Sequence, residues 1–361
     1  MPIDTRTAVI DMSPWQGRHD PEDGELGMRW HHKVMPADNA NEQGIMLLGF
    51  ACDEGVNRNK GRTGAYDAPM AIRRTLANMA WHHKEPVYDG GNIHCNDGNL
   101  EQAQLRLADD VARALRQKHK VIVFGGGHEV AWGTFQGLGN YLLQKQNIEQ
   151  PLDDVSWTAT PSSQATQHAN QATNNHIPRI GIINFDAHFD LRNLPDSLGG
   201  TLGSSGTPFH QAARFCELQG WPFQYACLGV SRPSNTQALF AKADKLGVTY
   251  IEDTELTYNK LDHALEALNH FIAQCDHLYL TIDMDAFPAA VAPGVSAPAA
   301  KGIPLDIAEA LLQPIFNARN AHHERKLLVA DIAELNPRFD IDNQTTLLAA
   351  RLAWLIAQAI R

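Results

Sequence analysis

Two short clusters, Asp186-Ala187-His188-Phe189-Asp190 and Asp283-Met284-Asp285, carry residue types that hold metal ions, and Gly125-Gly126-Gly127-His128-Glu129 adds a further histidine. Each follows an apolar run that predicts a buried strand, at residues 180–183, 278–282 and 121–124 respectively. In an open parallel sheet, ligands collect in the crevice beyond the carboxyl ends of the strands. Three such ends would deliver His128, His188, Asp186, Asp190, Asp283 and Asp285 to one place. So much negative charge is costly unless a cation neutralises it. A pair of divalent metals is the simplest resolution. Carboxylates with a minority of imidazoles favour Mn(II), ahead of Fe(II), Co(II) or Zn(II). A single Asp at a strand end more often caps a helix or starts a turn. Six ligand-type residues on three ends outweigh that reading.

The elements that must position these residues alternate along the chain. Strands are predicted at 45–51, 121–124, 180–185, 225–229, 248–251, 278–282 and 327–332, and helices at 68–80, 102–118, 208–218, 236–246, 261–274 and 305–318. Continuous apolar strands separated by helices imply the α/β class, a parallel sheet covered by helices on both faces. No composition break or internal repeat divides the chain, so residues 1–361 are expected to form one catalytic domain. Residues 158–175 are almost wholly Thr, Ser, Gln, Asn, Ala and His, and predict a mobile polar surface insertion. His168 and the nearby His176 could bind metal only opportunistically.

Composition narrows the partners. A net charge of −11 argues against nucleic acid or an anionic membrane, leaving a small molecule. A hydrophobic content of 43% over 361 residues supports a sizeable core. Cys52, Cys95, Cys216, Cys227 and Cys275 are scattered, with no CxxC, which predicts reduced thiols in a cytoplasmic protein. Residues 1–16 lack the apolar core of a signal peptide. The apolar stretch 347–360 is interrupted by Arg351 and Gln358, too short to span a bilayer, and predicts an amphipathic terminal helix.

The motifs GGGHE at 125–129, DAHFD at 186–190, TIDMDAF at 281–287 and DIAELNP at 331–337 resemble, in order, the signature of the arginase/agmatinase/formimidoylglutamase superfamily. The resemblance implies an arginase-like fold and a binuclear manganese centre, two Mn(2+) per subunit. It implies that His128, Asp186, Asp190 and Asp283 hold one metal, and Asp186, His188, Asp283 and Asp285 the other, with Asp186 and Asp283 bridging. It further implies assembly into homo-oligomers. Trp15 to Asp20, Arg29-Trp30-His31, the run from Asn57 to Gly64 with Ala68-Pro69, and Ser204 to Phe209 look like the formimidoylglutamase branch. Two departures stand out. Ser205-Gly206-Thr207-Pro208 occupies the place of the arginase His-Gly-x-Pro, which removes the histidine thought to move protons. His210 lies close by but reads as a helix-start residue. Gly127 stands where GGDH has an aspartate, removing an expected partner for His128.

That branch hydrolyses N-formimidoyl-L-glutamate to L-glutamate and formamide, and the expected chemistry follows from its amidine. Two metals sharing one solvent would generate hydroxide near neutral pH, and this would attack the formimidoyl carbon. Glu334 matches the family position that pairs with a guanidinium and suits a planar amidinium. Asp190 is the nearest candidate to accept the hydroxide proton and pass it to the leaving nitrogen. Residue types alone leave both formamide and ammonia release open. The two substrate carboxylates call for cations, and Arg192, Arg232 and Arg62 are the candidates, since guanidinium pairs bidentately with carboxylate. The competing readings are a guanidino hydrolase, acting on arginine or agmatine, and a catalytically silent metal-binding regulatory protein.

Overall fold

A computed structural model describes residues 10–145, 177–195 and 202–360. The polar segment expected at 158–175, with His168 and His176, lies outside the described residues. Nine parallel strands form one sheet: β1 (Met35–Pro36), β2 (Ile45–Ala51), β3 (Val87–His94), β4 (Lys120–Phe124), β5 (Ile180–Phe185), β6 (Gln224–Val230), β7 (Thr249–Glu252), β8 (His277–Asp283) and β9 (Leu327–Ala333). Their spatial order is β1-β3-β2-β4-β9-β8-β5-β6-β7.

Among the described residues, the helices are α1 (Glu54–Arg58), α2 (Ala68–Ala77), α3 (Leu100–Arg116), α4 (Val130–Lys145), α5 (Pro208–Gln219), α6 (Gln237–Lys245), α7 (Leu261–Ala273), α8 (Leu305–Asn317) and α9 (Gln344–Ala359). Side chains alternate across the sheet, so each strand feeds two cores. Ile45 and Leu47 of β2 and Ile122 and Phe124 of β4 join residues of α2, α7, α8 and α9 in one core. Met46 and Leu48 with Val121 and Val123 join α3, α4 and α5 in the other. Both faces are covered, which is why the strands read as unbroken apolar runs. Among the described residues, no helix is long and apolar enough to cross a membrane.

Four elements escape the sequence reading, among them α1, whose five residues are too few to show a helical period. Helix α4 is buried on almost every side, so its sequence shows no polar face to reveal the helical period. Strand β3 reads VYDGGNIH, in which Gly90 and Gly91 resemble a turn; they form a bulge, with Gly91 at φ 77°, that shifts the register against β2. Asp89 of β3 is fully buried and paired with Arg73 of α2 at 2.7 Å, an interaction no periodicity reveals. Strand β1, two residues long, is too short to produce a pattern.

Candidate metal centre

The functional strands are neighbours, in the order β4-β9-β8-β5. Register does the rest. Phe185 lies opposite Ile282, and Ala333 opposite Asp283, so Asp186, Asp283 and Glu334 emerge side by side at the carboxyl edge. His128 arrives from the turn after β4, which ends where α4 begins. All six sequence-predicted ligands converge there.

The Nδ1 atom of His128 lies 3.1 Å from Asp186 Oδ2, 2.9 Å from Asp190 Oδ2 and 3.1 Å from Asp283 Oδ2. None of these pairs has hydrogen-bond geometry: the buried Nδ1 is an unpartnered atom among three carboxylates. One atom from each of these four residues lies within 4.8 Å of the others, as do atoms of Asp186, His188 and Asp285. His188 Nδ1 is 3.0 Å from Asp285 Oδ2 and 3.5 Å from Asp186 Oδ1. An imidazole nitrogen surrounded by oxygens that do not pair with it is the donor set a divalent cation requires. Two cations therefore fit these residues, and Asp186 belongs to both groups. Asp283, expected to bridge as well, falls within the first group only; its Oδ1 accepts the Asp285 N–H at 2.7 Å. The turn-capping role weighed for these aspartates is thus present as well: Asp186 Oδ1 accepts the His188 N–H at 2.6 Å.

The electrostatics agree. Burial works against a charged His128, yet Asp186, Asp190 and Asp283 outweigh it and hold its imidazole protonated well above the usual range. Burial, Asp285 and Asp186 push the Asp283 carboxyl well up. Burial and Asp186 likewise raise Asp190. A divalent cation among these carboxylates would supply the positive charge that the protons otherwise provide.

Around the ligands, the outer contacts differ from expectation. With Gly127 in place of an aspartate, the sequence leaves His128 without a partner. Its Nε2 lies instead 2.9 Å from Thr281 Oγ1 on β8. Thr281 sits in register with Asp331 of β9, which accepts the Tyr279 hydroxyl at 2.5 Å. The space beside Gly127 is filled by Glu129: a Cβ at 127 would lie 2.1 Å from Glu129 Oε2. Glu129 is fully buried and accepts the Gly55 N–H at 2.9 Å, tying the His128 turn to α1. Asn235 supports the other cluster, accepting from Phe189 N at 3.1 Å and donating to Ala187 O at 2.9 Å.

Above the acids opens a cavity of about 310 Å³ lined by His188, Asp190, Asp283, Asp285 and Glu334 below and by Lys60, Arg62 and Arg192 among its cations. Glu334 Oε1 accepts the His128 N–H at 2.8 Å, and Ser296 Oγ donates to its other oxygen. Burial, above all, pushes its carboxyl up. Arg192 lies along Gly206, where a Cβ would stand 2.8 Å from its Cδ. The Arg62 guanidinium lines the cavity but stacks 4.0 Å from the Phe339 ring and donates to the Val295 carbonyl. Arg232 is not brought to the cavity. It is largely exposed, paired with Glu252 and stacked 4.6 Å over Phe240. Ser205 lines the cavity and accepts from Asn59 Nδ2 at 3.1 Å, while His210 sits in the first turn of α5 facing Lys242 at 3.0 Å.

Sequence reasoning missed Lys60, Ser296, Glu129 and Thr281. Three residues near the site, Lys60, Asp190 and Glu334, adopt left-handed backbone at φ 62°, 47° and 65°. No local sequence signal marks such non-glycine positions. The N-terminal motif is structural rather than part of the cavity: Trp15 Nε1 donates to Asp89 at 2.6 Å, and Arg29 grips Asp20 at 2.9 and 2.6 Å.

The sequence model of the arginase family matches residues 43–150 and 163–358. The chain is 67% identical to a formimidoylglutamase of Photobacterium profundum, over 99% of this chain and 98% of that protein. It is 53% identical to one of Vibrio cholerae, over 96% and 94%. The formimidoylglutamase structure from Bacillus subtilis shares the fold with a TM-score of 0.72 at 18% identity, covering 96% of this chain and 94% of that one. A Trypanosoma cruzi formiminoglutamase structure with Mn2+2 does so at 0.66 and 21% identity, covering 90% and 97%. A family match over most of the length, whole-chain relatives at this identity and the same sheet leave one placement: the chain belongs to the arginase family, in its formimidoylglutamase branch.

Proposed function

We propose that the chain hydrolyses N-formimidoyl-L-glutamate to L-glutamate and formamide, with two Mn(2+) ions held by His128, Asp186, Asp190, His188, Asp283 and Asp285. The observation that carries this reading is the polarity of the cavity: buried acids and His188 on its floor, more exposed cations at its mouth. A substrate with a cationic amidine at one end and carboxylates at the other matches that polarity. The substrate named for the P. profundum and V. cholerae relatives, and the metal of the T. cruzi protein, support it.

When bound, the two cations supply Lewis-acid charge and a water acidified toward neutral pH. The remaining work falls to side chains. Glu334 accepts from the amidinium and orients its carbon toward the floor. Asp190 takes a proton from the attacking water and returns it to the glutamate nitrogen. Oxygen adds to the formimidoyl carbon, the bond from that carbon to the glutamate nitrogen breaks, and formamide leaves with the original imino nitrogen. Arg192 holds a substrate carboxylate. All five cysteines are free, which supports a cytoplasmic setting. A homo-oligomer is the assembly the family resemblance supports.

Replacing Arg192 tests the polarity argument. A lost ion-pair partner costs about 2–5 kcal/mol, and solvent at the mouth pulls this to the low end, so Arg192→Ala should raise KM roughly thirty-fold. Metal content should hold. Wild type should leave agmatine, whose far end is an amine, largely untouched. An unchanged KM, or agmatine turnover matching formimidoylglutamate, would favour a guanidino hydrolase instead.

A further inference from the structure

The proposed substrate presents two carboxylates, and the cavity offers Lys60, Arg62 and Arg192 as cations. Their situations differ. The Arg62 guanidinium is half-buried, held on the Phe339 ring and by one bond from Nη2 to the Val295 carbonyl, with its buried Nε unpartnered. Arg192 and Lys60 are exposed, and neither side chain has an ion pair or hydrogen bond among the described residues. One free guanidinium can serve one carboxylate, which leaves the other for the ammonium of Lys60.

The backbone at Lys60 points the same way. Helix α1 ends with the Lys60 N–H donating to Asn57 O at 3.0 Å and the Gly61 N–H to Val56 O at 2.9 Å. This closure puts Lys60 at φ 62°, the left-handed position that glycine fills with least strain. Lys118 has the same conformation after α3, outside the cavity lining, so strain alone does not single out Lys60. Its place at the cavity mouth does. The next-door Asn59 bonds Ser205 at 3.1 Å, and Ser205 adjoins the Gly206 on which Arg192 lies. The two cations therefore lie on segments joined through hydrogen bonds, Asn59 to Ser205 and the Arg192 N–H to the Gly206 carbonyl at 2.9 Å.

We propose that Lys60 is the second carboxylate anchor of this cavity, working with Arg192 to select dicarboxylate substrates. The inference rests on the function proposed above. Its test is Lys60→Gly, which deletes the ammonium while relieving the left-handed strain. The melting temperature should therefore stay level or rise, the opposite of what a structural lysine would give. KM for N-formimidoyl-L-glutamate should rise roughly five-fold, the upper end for loss of one partly solvated ion pair, with kcat changing much less. Lys60→Arg, which restores a cation, should return KM to within about three-fold of wild type.

Inhibition by glutarate and by butyrate reads the anchor without turnover of substrate. Wild type should favour glutarate, and Lys60→Gly should lose most of that preference. An unchanged KM together with an unchanged glutarate preference would overturn the proposal. If wild type releases no formamide, the functional reading fails, and the glutarate-to-butyrate comparison alone decides the role of Lys60.

Discussion

Replacing Glu334 with Gln removes one charge from the cavity while disturbing little else. The Glu334 side chain is 3% exposed, and both oxygens are engaged, Oε1 by the His128 N–H at 2.8 Å and Oε2 by the Ser296 hydroxyl. A glutamine can keep its amide oxygen on His128 and turn its NH2 toward Ser296, whose hydroxyl rotates to accept. The lost element is the negative charge facing the amidinium. A hydrogen bond to a charged group contributes about 1.5–3 kcal/mol, which is roughly ten- to hundred-fold in kcat/KM. The assay is steady-state formamide release by Mn-loaded protein, with metal content and melting temperature measured on the same samples. Ser296→Ala is the control: it removes the hydroxyl that donates to the carboxylate, keeps the charge facing the amidinium, and should lower kcat/KM clearly less than Glu334→Gln. An unchanged rate for Glu334→Gln with both metals retained would refute the amidinium pairing. A loss of metal in step with activity would instead assign Glu334 to supporting His128.

Asp186→Asn should release both metals, because Asp186 belongs to both ligand groups, whereas Asp285→Asn should weaken only the site shared with His188; elemental analysis after dialysis distinguishes the two. Gly127→Ala should destabilise by about 1–3 kcal/mol through overpacking, since its Cβ would meet Glu129 and Val56. In a Glu129→Ser background that cost should fall markedly, and equal costs in a denaturation cycle would mean Glu129 does not fill the space. His277, at the start of β8, is pushed down from 6.5 to about 4, by burial first and then by Lys145. The unfolded chain binds this proton more readily, so stability should fall as pH drops from 6.5 to 4, by at most about 3 kcal/mol. His277→Gln should lose that part of the slope; parallel wild-type and variant curves would contradict it.

The convergence of the candidate ligands is legible because strand-end aspartates and histidines follow apolar runs, and a parallel sheet brings strand ends together whatever the loop lengths between them. Fold class followed from the same runs. The outer contacts were not legible. Thr281 reaches His128 from a strand 153 residues away in sequence, and Glu129 replaces an aspartate by reaching back over Gly127 rather than occupying its position. Arg192 and Arg232 each follow a strand end and read as carboxylate anchors in the sequence, Arg192 the better placed of the two. The ion pair to Glu252 and the stack on the Phe240 ring hold Arg232 away from the cavity. Helix α4 and strand β3 were hidden for opposite reasons, one by burial all round and the other by the glycines of its bulge.

The central claim is that the acid floor and cationic mouth process a formimidoyl dicarboxylate rather than a guanidine. Mass spectrometry of products from the Mn-loaded protein, offered N-formimidoyl-L-glutamate, arginine and agmatine in parallel, tests it most directly. The account predicts L-glutamate and formamide from the first and little or no urea, ornithine or putrescine from the others. Urea release at a comparable rate, or N-formylglutamate with ammonia in place of glutamate with formamide, would contradict it.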